Sequence, residues 1–563
     1  MDTKKITSLF GVLLSFATVY ADSNERGIDL YQAELYDAAK IFFLSQANQT
    51  PQEQAESQYY LGQSYFELQA TDSAAYCYAK AIEINPEYSY GYIGEGRVAL
   101  SKGDAKEADT KFKKALSLAQ KKDASIATVI AEVYIGFSLY PQAEDALAKA
   151  EKANKKDSGL FLAKGDLAMK QGKQSQGYQW YEQAKYFNAN SKLAYLKLAR
   201  VYELVNNAAA LEYLDQLIAI DPEYIPAYAL IGDINRANGK YNAALTAYEK
   251  FIAIPGVPLL QHERYAQLLY FTDQYEASLF KINYVLKFEP NNPVMHRLQA
   301  YNHFELENYE LAVSELADFL KNNPEDTHIY LDYFTYGKAL IKQKQPEAAV
   351  EVLLKAIALD STSVDVYSEL IDAYKRTRNY TEAIQLYDKF FELAGENVTS
   401  LDFLYYGQTL YYATKNLMDT YDAIASTATS EQQTEYNATF KTYIEKGDEA
   451  FNEIIERSPD SYLGYLWRGH ISTFVDQKEQ EIPTSPLKGF AKPYYEKAIE
   501  VMLQNNENGK RNNDLVQAYT YLGYYYLLLD DTIHSGDYYK KILTIDPSNA
   551  NAKKALDGMK IKY

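Results

Sequence analysis

The chain has 563 residues, with 76 acidic and 57 basic side chains and a formal net charge of −19. This acidic balance argues against sequence-independent binding to nucleic acid or to an anionic membrane surface, because both attract basic proteins. The chain has a single cysteine, Cys77, and so cannot form an internal disulfide. No histidine with an Asp or Asn partner is placed to activate the thiol of Cys77, so we interpret this residue as a buried apolar one.

The first 21 residues have the composition of an export signal. Lys4 and Lys5 give a positive start, and residues 6–19 form a mostly apolar run. Ala21 is a small residue of the kind that signal peptidase accepts, so we expect cleavage before Asp22 and an exported, periplasmic chain. The apolar run is shorter than the roughly 20 residues that a membrane span needs, so a membrane-anchoring helix is the weaker alternative.

One spacing of small and aromatic residues recurs along the chain with a period of about 34 residues. It is clearest in Gly62, Ala74, Tyr78, Ala81 and Pro86. Two antiparallel helices can approach closely where small residues meet, an aromatic ring fills the remaining space, and a proline ends the second helix. The same intervals continue, with small slips, from Gly27 to Phe390 and return near Tyr519.

This pattern resembles the tetratricopeptide repeat family. The resemblance implies an all-α, right-handed α-solenoid of about fourteen helix–turn–helix units. The two ends of the array differ from the consensus, because terminal repeats meet water on one face. We predict a degenerate first repeat in residues 23–47 and a capping helix in residues 549–560.

The repeat phase breaks after Gly407. Residues 416–437 are rich in Ser, Thr and Gln, and we predict an inserted loop there, between the two helices of one unit. Residues 476–492 contain two prolines and a glycine, which predicts a second loop insertion. The array would then comprise residues 22–415 and residues 438–563. Each insertion is either a docking element or a tolerated surface loop, and the second interpretation is favoured.

No constellation of residues predicts a catalytic, cofactor or metal site. His296 and His303 are seven residues apart and share a predicted helical face, but neither a HExxH motif nor a cysteine accompanies them. Phosphate-binding glycine motifs and the GxSxG nucleophile motif are also missing from the sequence. The sequence therefore predicts a protein that is not an enzyme.

The resemblance implies that the first helix of each pair lines a concave groove. Side chains beside the contact glycine or alanine, and one turn before or after it, would point into this groove. The candidates for partner binding are Tyr59, Phe66, Arg97, Arg200, Arg236, Tyr270, Tyr301, Phe304, Phe334, Lys338, Tyr411 and Tyr524. Aromatic rings and guanidinium groups are effective binding anchors, but many of the 55 tyrosines would instead fill gaps between helices.

A subset of the family binds the terminal carboxylate of a partner through Lys and Asn side chains on successive first helices. The corresponding residues here are Gln63, Arg97, Glu132 and Asp166. The Asn and the paired Lys are missing and two acids are present, so this mode of binding is not supported.

The resemblance, together with the export signal, implies a non-catalytic protein–protein interaction scaffold of the bacterial cell envelope. In this respect the chain resembles periplasmic repeat proteins of the Bacteroidetes. It would bind a peptide or a helix of a protein partner, and a partner could associate it with the outer membrane. The alternatives are a holding chaperone for exported proteins and a protein that binds glycan or peptidoglycan. The sequence indicates no oligomeric state.

Overall fold

The computed structural model describes residues 24–46, 49–480, 488–504 and 509–563. Within these ranges the chain folds into 29 α-helices and two short 3-10 helices, without any β-strand. The helices belong to two compact units, residues 1–302 (unit 1) and residues 303–563 (unit 2). The predicted signal segment, residues 1–21, lies outside the described residues.

Unit 1 contains helices α1 to α16 and most of α17, which crosses the boundary between the units. Their bounds are α1 (Glu25–Gln32), α2 (Tyr36–Ser45), α3 (Pro51–Glu67), α4 (Thr71–Ile84), α5 (Ser89–Ser101), α6 (Ala105–Leu118), α7 (Ser125–Gly136), α8 (Tyr140–Ala153), α9 (Ser158–Lys170), α10 (Gln174–Phe187), α11 (Lys192–Glu203), α12 (Asn207–Ile220), α13 (Ile225–Ala237), α14 (Tyr241–Tyr248), α15 (Leu259–Phe271), α16 (Tyr275–Leu286) and α17 (Pro293–Glu305).

Unit 2 contains the remaining helices. Their bounds are α18 (Tyr309–Asn322), α19 (Tyr330–Lys342), α20 (Pro346–Leu359), α21 (Val364–Arg376), α22 (Tyr380–Ala394), α23 (Ser400–Asp422), α24 (Ser430–Arg457), α25 (Tyr462–Gln480), α26 (Lys492–Gln504), α27 (Asn512–Leu528), α28 (Thr532–Ile545) and α29 (Ala550–Gly558). The two 3-10 helices, Glu325–Thr327 and Gly395–Asn397, also lie in this unit.

In chain order, the first 28 helices make fourteen pairs, each with an odd-numbered first helix and an even-numbered second helix, and α29 follows alone. The predicted all-α array and its C-terminal helix are therefore confirmed. Cys77 is buried on α4, and burial raises the pKa of its thiol to about 11. This agrees with its interpretation as an apolar core residue.

The close approach of paired helices depends on a glycine that faces an aromatic ring. A Cβ atom added to Gly62 would lie 2.6 Å from Cε1 of Tyr78, and one added to Gly94 of the next pair would lie 2.3 Å from Cδ1 of the same ring. Tyr78 therefore packs against its own pair and the following one. Gly407 repeats the contact with Phe451 in unit 2. These contacts show the roles predicted for the two kinds of position: the small residue lets the helices approach, and the aromatic ring fills the space between them.

The short connection inside many pairs contains one residue in the left-handed conformation. Glycine supplies it at Gly103, Gly172 and Gly239, with φ angles of 81°, 76° and 69°. Gln69 and Arg378 occupy the same place in other pairs, with φ angles of 61° and 60°. A left-handed residue ends a helix and redirects the chain, so these connections set the antiparallel course of the pairs.

The predicted loop at residues 416–437 is wrong, because most of this segment is helical. α23 extends over 23 residues and α24 over 28 residues, and only residues 423–429 connect them. Thr429 caps α24 through a reciprocal capping box with Gln432. The rings of Tyr421 and Tyr436 stack at 3.9 Å, which holds the two extended helices together. The polar composition reflects exposed helix faces rather than a loop.

The second predicted insertion, residues 476–492, is described only in part, because residues 481–487 lie outside the described ranges. Residues 476–480 complete α25. The buried carboxylate of Asp476 accepts hydrogen bonds from the backbone N–H groups of Phe490 at 2.7 Å and Ala491 at 3.1 Å, and from the hydroxyl of Tyr521 at 2.6 Å. These bonds fasten the two ends of the segment to each other and to α27.

We expect a Gly407→Ala substitution to destabilise the chain by about 1–3 kcal/mol, because its Cβ would lie 2.3 Å from Cε1 of Phe451. Gly136→Ala is the matched control, since no atom lies within 4 Å of its added Cβ. The control should be neutral or stabilising by up to about 1 kcal/mol, from its higher helix propensity. Urea denaturation followed by circular dichroism measures both changes, and equal midpoints for the two variants would contradict the packing argument.

Candidate binding face

The first helices of neighbouring pairs lie side by side, as α5 does with α3 and α7 in unit 1, and as α21 does with α19 in unit 2. Their side chains share one surface, which we call the first-helix face of the unit. All of the binding residues predicted from the sequence lie on first helices. Their surroundings differ between the two units, so each face is described separately.

The first-helix face of unit 1 contains three polar sets with the same construction. In each set, the residue after the contact glycine accepts hydrogen bonds from a tyrosine on the second helix of its pair and from a cation on the next first helix. The sets are Gln63 with Tyr78 and Arg97, Asp166 with Tyr181 and Lys197, and Asp233 with Tyr248 and Arg264. These sets connect successive pairs through side-chain hydrogen bonds.

Arg97 is the most heavily engaged cation of these sets. It donates to Oε1 of Gln63 and to Oε1 of Glu67, each at 2.6 Å. Its guanidinium also lies 4.3 Å from the ring centroid of Phe66. In the other two sets, Asp166 accepts from both of its partners at 2.7 Å, and Asp233 accepts at 2.8 Å and 3.0 Å. Of the residues that replace the family's carboxylate-binding cluster, Gln63 and Arg97 therefore bind each other, and Asp166 binds Tyr181 and Lys197.

The first pair of unit 1 contacts residues that lie about 200 positions later in the chain. Tyr224 donates its hydroxyl to Oε1 of Gln32 at 2.7 Å. Lys192 lies 3.5 Å from the carboxylate of Asp29 and 2.8 Å from that of Asp221. Burial raises the pKa of Asp29 to about 6, with Lys192 lowering it and Asp221 raising it. An ion pair thus joins α1 to α11, and a hydrogen bond between neutral side chains joins α1 to the residue before α13.

Apolar side chains complete this closure of unit 1. One hydrophobic cluster contains Leu30 and Phe43 of the first pair, Ile225 of the seventh and Leu268 of the eighth. Gly256, between α14 and α15, has a φ of 85°, and a Cβ added to it would lie 2.8 Å from the backbone nitrogen of Ala38. The backbone of α2 therefore packs directly on the connection that follows the seventh pair.

Glu132 has an unusual environment on this face. More than a third of the residue is accessible to solvent, yet the protein atoms around it desolvate its carboxylate. This desolvation raises its pKa to about 7, and Asp166 adds to the rise while Lys197 and Arg97 oppose it. Glu132 thus titrates near neutral pH.

Several residues predicted to bind a partner are engaged inside unit 1. Tyr59 and Tyr301 are each 4% exposed, so the structure corrects their assignment as exposed anchors: the rings of neighbouring helices cover them. Arg200 pairs with Glu34 at 3.0 Å, and Nε of Arg236 lies 3.8 Å from Asp233. Tyr270 contacts the rings of Phe271, Tyr275 and Tyr301. Most of this predicted set therefore stabilises the unit.

The first-helix face of unit 2 carries a row of basic and aromatic side chains. Nζ of Lys338 lies 4.8 Å from the ring centroid of Phe304 and 5.1 Å from that of Phe334. Phe304 is 8% exposed, so it is not an exposed anchor as predicted but the support beneath the lysine. Lys342 follows Lys338 by four residues, about one helical turn further along α19, and is exposed.

The neighbouring first helices extend this row. Nζ of Lys375 on α21 lies 5.0 Å from the ring centroid of Tyr405 on α23. Burial lowers the pKa of Lys375, as Arg376 also does, while Asp372 raises it. Asp372 itself accepts a hydrogen bond from Nε of Arg376 at 2.7 Å. We call the set Phe304, Phe334, Lys338, Lys342, Lys375, Arg376, Tyr405 and Tyr412 the basic face.

The basic face differs from unit 1 in how its lysines are paired. Among the described residues, no carboxylate oxygen lies within 4.0 Å of the ammonium groups of Lys338, Lys342 or Lys375. In unit 1, by contrast, Lys197 pairs with Asp166 at 2.7 Å. Tyr405 and Tyr412 are each 44% exposed beside the lysines. The face therefore offers both cations and aromatic surface to a partner.

The other predicted residues of unit 2 lie further along its first helices. Tyr411 contacts the rings of Trp467 and Phe474, so it mainly supports α25. Tyr524 on α27 is 47% exposed. The sequence prediction missed Lys375, although it stands one turn after the contact residue Ile371. The rule of one helical turn after the contact residue, applied to the pair of α21 and α22, would have identified Lys375.

His296 and His303, the two histidines that share a predicted helical face, both have structural partners. His296 lies 2.8 Å from the carbonyl oxygen of Pro290, and Nδ1 of His303 lies 2.7 Å from the carboxylate of Glu315. Across the part of the chain that is described, His, Cys, Asp and Glu side chains form no group of three that could hold a metal ion. In the same part, every helix is too short or too polar to span a membrane.

We expect Gly256→Ala to loosen the closure of unit 1. Both this variant and Gly239→Ala place a side chain at a left-handed φ, which costs about 1–2 kcal/mol. Only Gly256 also faces a backbone, whereas no atom lies within 4 Å of the Cβ added to Gly239. Hydrogen exchange should therefore increase in α1 and α2 for Gly256→Ala alone. An equal increase in both variants would show that the contact with Ala38 does not hold the first pair.

Replacing Glu132 by Gln should make the chain more stable at pH 8 than the wild type. The carboxyl has an ordinary pKa of 4.5 and a folded-state pKa of about 7, so ionisation favours the unfolded chain as the pH rises from 4.5 to 7. The gain should shrink as the pH falls towards 4.5. Denaturant midpoints at several pH values measure it, with the exposed Glu212→Gln as the control. A gain that does not change with pH would refute this account.

Two models of the tetratricopeptide repeat family match the chain, one at residues 55–88 and the other at residues 225–255 and 333–363. Among curated proteins, anaphase-promoting complex subunit 3 of Schizosaccharomyces pombe is 27% identical over 182 residues, which cover 32% of this chain. The match spans 27% of the length of that curated relative.

Solved structures of repeat proteins also resemble the chain. The C-terminal part of a tetratricopeptide repeat-containing protein from Cytophaga hutchinsonii is 26% identical, with a TM-score of 0.39, and the match covers 52% of this chain and 99% of that one. A tetratricopeptide repeat protein from Parabacteroides merdae is 14% identical, with a TM-score of 0.23, and the match covers 50% and 97% of the two chains.

The matched models are those of a repeat that indicates protein–protein interaction, and they do not indicate an enzyme family. Their first match coincides with the residues in which the repeat spacing is clearest. On these grounds, and on the fourteen helix pairs of the described residues, several of which contain a glycine–ring contact, the chain contains tetratricopeptide repeats and has an all-α solenoid fold.

Proposed function

We propose that this protein is a non-catalytic scaffold of the bacterial cell envelope, and that the basic face of unit 2 binds a peptide segment of a protein partner. One observation carries the proposal: Lys338 and Lys375 of the basic face lie over aromatic rings and have no carboxylate within ion-pair distance in the described residues. The matching cations of unit 1 bind their own neighbours.

The chemistry of the basic face suits a peptide. Tyr405 and Tyr412 present large, partly exposed rings on one helix, and rings of this kind bury much area at a small cost in side-chain entropy. The ammonium groups of Lys338 and Lys375 can donate hydrogen bonds to backbone carbonyls or to acidic side chains. Apolar contact and polar donors therefore lie together on the first helices α19, α21 and α23.

The location in the envelope rests on the sequence of residues 1–21. Lys4 and Lys5, followed by an apolar run and by Ala21, are typical of a secretory signal. An exported scaffold would meet its partner in the periplasm. A holding chaperone and a glycan-binding protein are the alternatives, and the experiment below separates them from a dedicated scaffold.

The test is a crosslinking pull-down of the tagged chain from the envelope of its own cells, read by mass spectrometry. The wild type is compared with a Tyr405→Ala/Tyr412→Ala variant and with the control Tyr76→Ala/Tyr186→Ala, whose rings are exposed on second helices of unit 1. We expect the recovered chain to begin at Asp22. We also expect one or two envelope proteins to be lost with the first variant only, by roughly tenfold or more.

Other outcomes would overturn the proposal in different ways. A broad set of unrelated exported proteins would indicate a holding chaperone instead. Recovery of glycan without enriched protein would indicate a carbohydrate-binding role. Recovery of the chain from the cytoplasm with its first 21 residues intact would exclude the proposed location.

A further inference from the structure

We propose that the segment bound by the basic face is acidic, a stretch rich in Asp and Glu that also carries an aromatic or aliphatic side chain. The inference rests on the proposed function, because it specifies the chemistry of the partner at the same site. It is argued from the pairing of the lysines, from the local charge and from the accessible rings.

Lys338 has no carboxylate within 4.0 Å in the described residues, and its interaction with the carboxylate of Glu369 acts over a longer distance. The rings of Phe304 and Phe334 flank its ammonium group at 4.8 Å and 5.1 Å, and they attract it through their π faces. In the described residues, no hydrogen-bond acceptor of the chain takes any of its three N–H donors. A carboxylate arriving from outside could accept these donors without breaking a bond of the folded chain.

Lys375 makes a second position of the same kind. Its ammonium group lies 5.0 Å from the ring centroid of Tyr405. The nearby carboxylate of Asp372 is bound by Arg376 at 2.7 Å and so does not pair with Lys375 at ion-pair distance. Burial lowers the pKa of this lysine, which means that its charge lacks full solvation and would gain from an anionic ligand.

The local charge contrasts with that of the whole chain. On α19 and α21, the face presents Lys338, Lys342, Lys375 and Arg376 beside the carboxylates of Glu369 and Asp372. With Asp332 and Asp365, the two helices carry as many acidic as basic residues and are neutral. The complete chain has a net charge of −19. A chain of this net charge disfavours non-specific association with an acidic segment, so the binding of such a segment would depend on the cations of the basic face.

The aromatic rings define the rest of the segment. Tyr405 and Tyr412 are both 44% exposed, and Tyr412 stacks on Tyr380 at 6.2 Å between centroids. An aromatic or aliphatic side chain of the partner would bury area on these rings while its acidic neighbours reach the lysines. A nucleic acid would meet the same cations, but the charge of the whole chain would oppose such a long polyanion.

The experiment is a selection from a displayed library of random 12-residue peptides, fused at their C-termini so that no free terminal carboxylate is present. Residues 22–563 serve as the immobilised target. We expect the selected pool to contain Asp and Glu at about twice their frequency in the starting library, with an aromatic or aliphatic residue among them. The binding of one selected peptide is then measured by fluorescence anisotropy.

Two charge-removing variants locate the binding. Lys338→Gln/Lys375→Gln should weaken the binding of the selected peptide about tenfold, because two charge-assisted contacts are lost. The control Lys389→Gln/Lys441→Gln removes the same charge from exposed side chains on second helices of unit 2, where the lysines pair with Glu392 and Glu445. This control should leave the binding of the peptide unchanged. Raising the salt concentration should weaken the wild-type interaction in the same direction as the first variant.

Each remaining outcome overturns the inference. A pool without enrichment in Asp and Glu, but sensitive to Tyr405→Ala/Tyr412→Ala, would refute the acidic segment and leave the proposed function standing. Equal loss of binding in both lysine variants would show a general charge effect rather than recognition at the basic face. Failure to select any peptide would refute the inference, and the crosslinking experiment would then decide the proposed function separately.

Discussion

The contact between a glycine on one helix and an aromatic ring on another sets the geometry of this protein. Because Gly62 and Gly94 have no side chain, the ring of Tyr78 can pack against the backbone of two successive pairs. The pairs therefore stack closely enough for first helices to share a face. The hydrogen-bonded sets of unit 1 depend on this spacing, since their members come from neighbouring pairs. Beneath the lysine row of unit 2, the side chain of Leu353 takes the place of the ring against Gly337.

The two units use their first-helix faces for different purposes. Unit 1 binds many of its own polar groups, through Arg97 with Gln63 and Glu67 and through the contacts of its first pair with later ones. Such internal bonding rigidifies a surface and leaves few donors for a ligand. Unit 2 keeps Lys338 and Lys375 over aromatic rings with their N–H groups available. We infer that stability and recognition are divided between the units.

The sequence predicted the repeats well because their packing is local and periodic. The spacing from Gly62 to Tyr78 follows directly from helix geometry, so the pairs and their order were found. The helical extension at residues 416–437 was missed, because the amino-acid composition of the segment does not show that Tyr421 stacks on Tyr436 and stabilises the two helices. Burial of Tyr301 and closure onto Gly256 were equally hidden, because both depend on contacts between distant parts of the chain.

The closure of the first pair onto the seventh and eighth constrains how this protein can evolve. A simple repeat array tolerates the gain or loss of a unit, because each repeat contacts only its neighbours. In unit 1, a duplicated or deleted pair would rotate and displace α13 relative to α1 and separate Tyr224 from Gln32. A change in the number of pairs between these contacts would therefore break them, whereas a substitution within a pair would leave them in place.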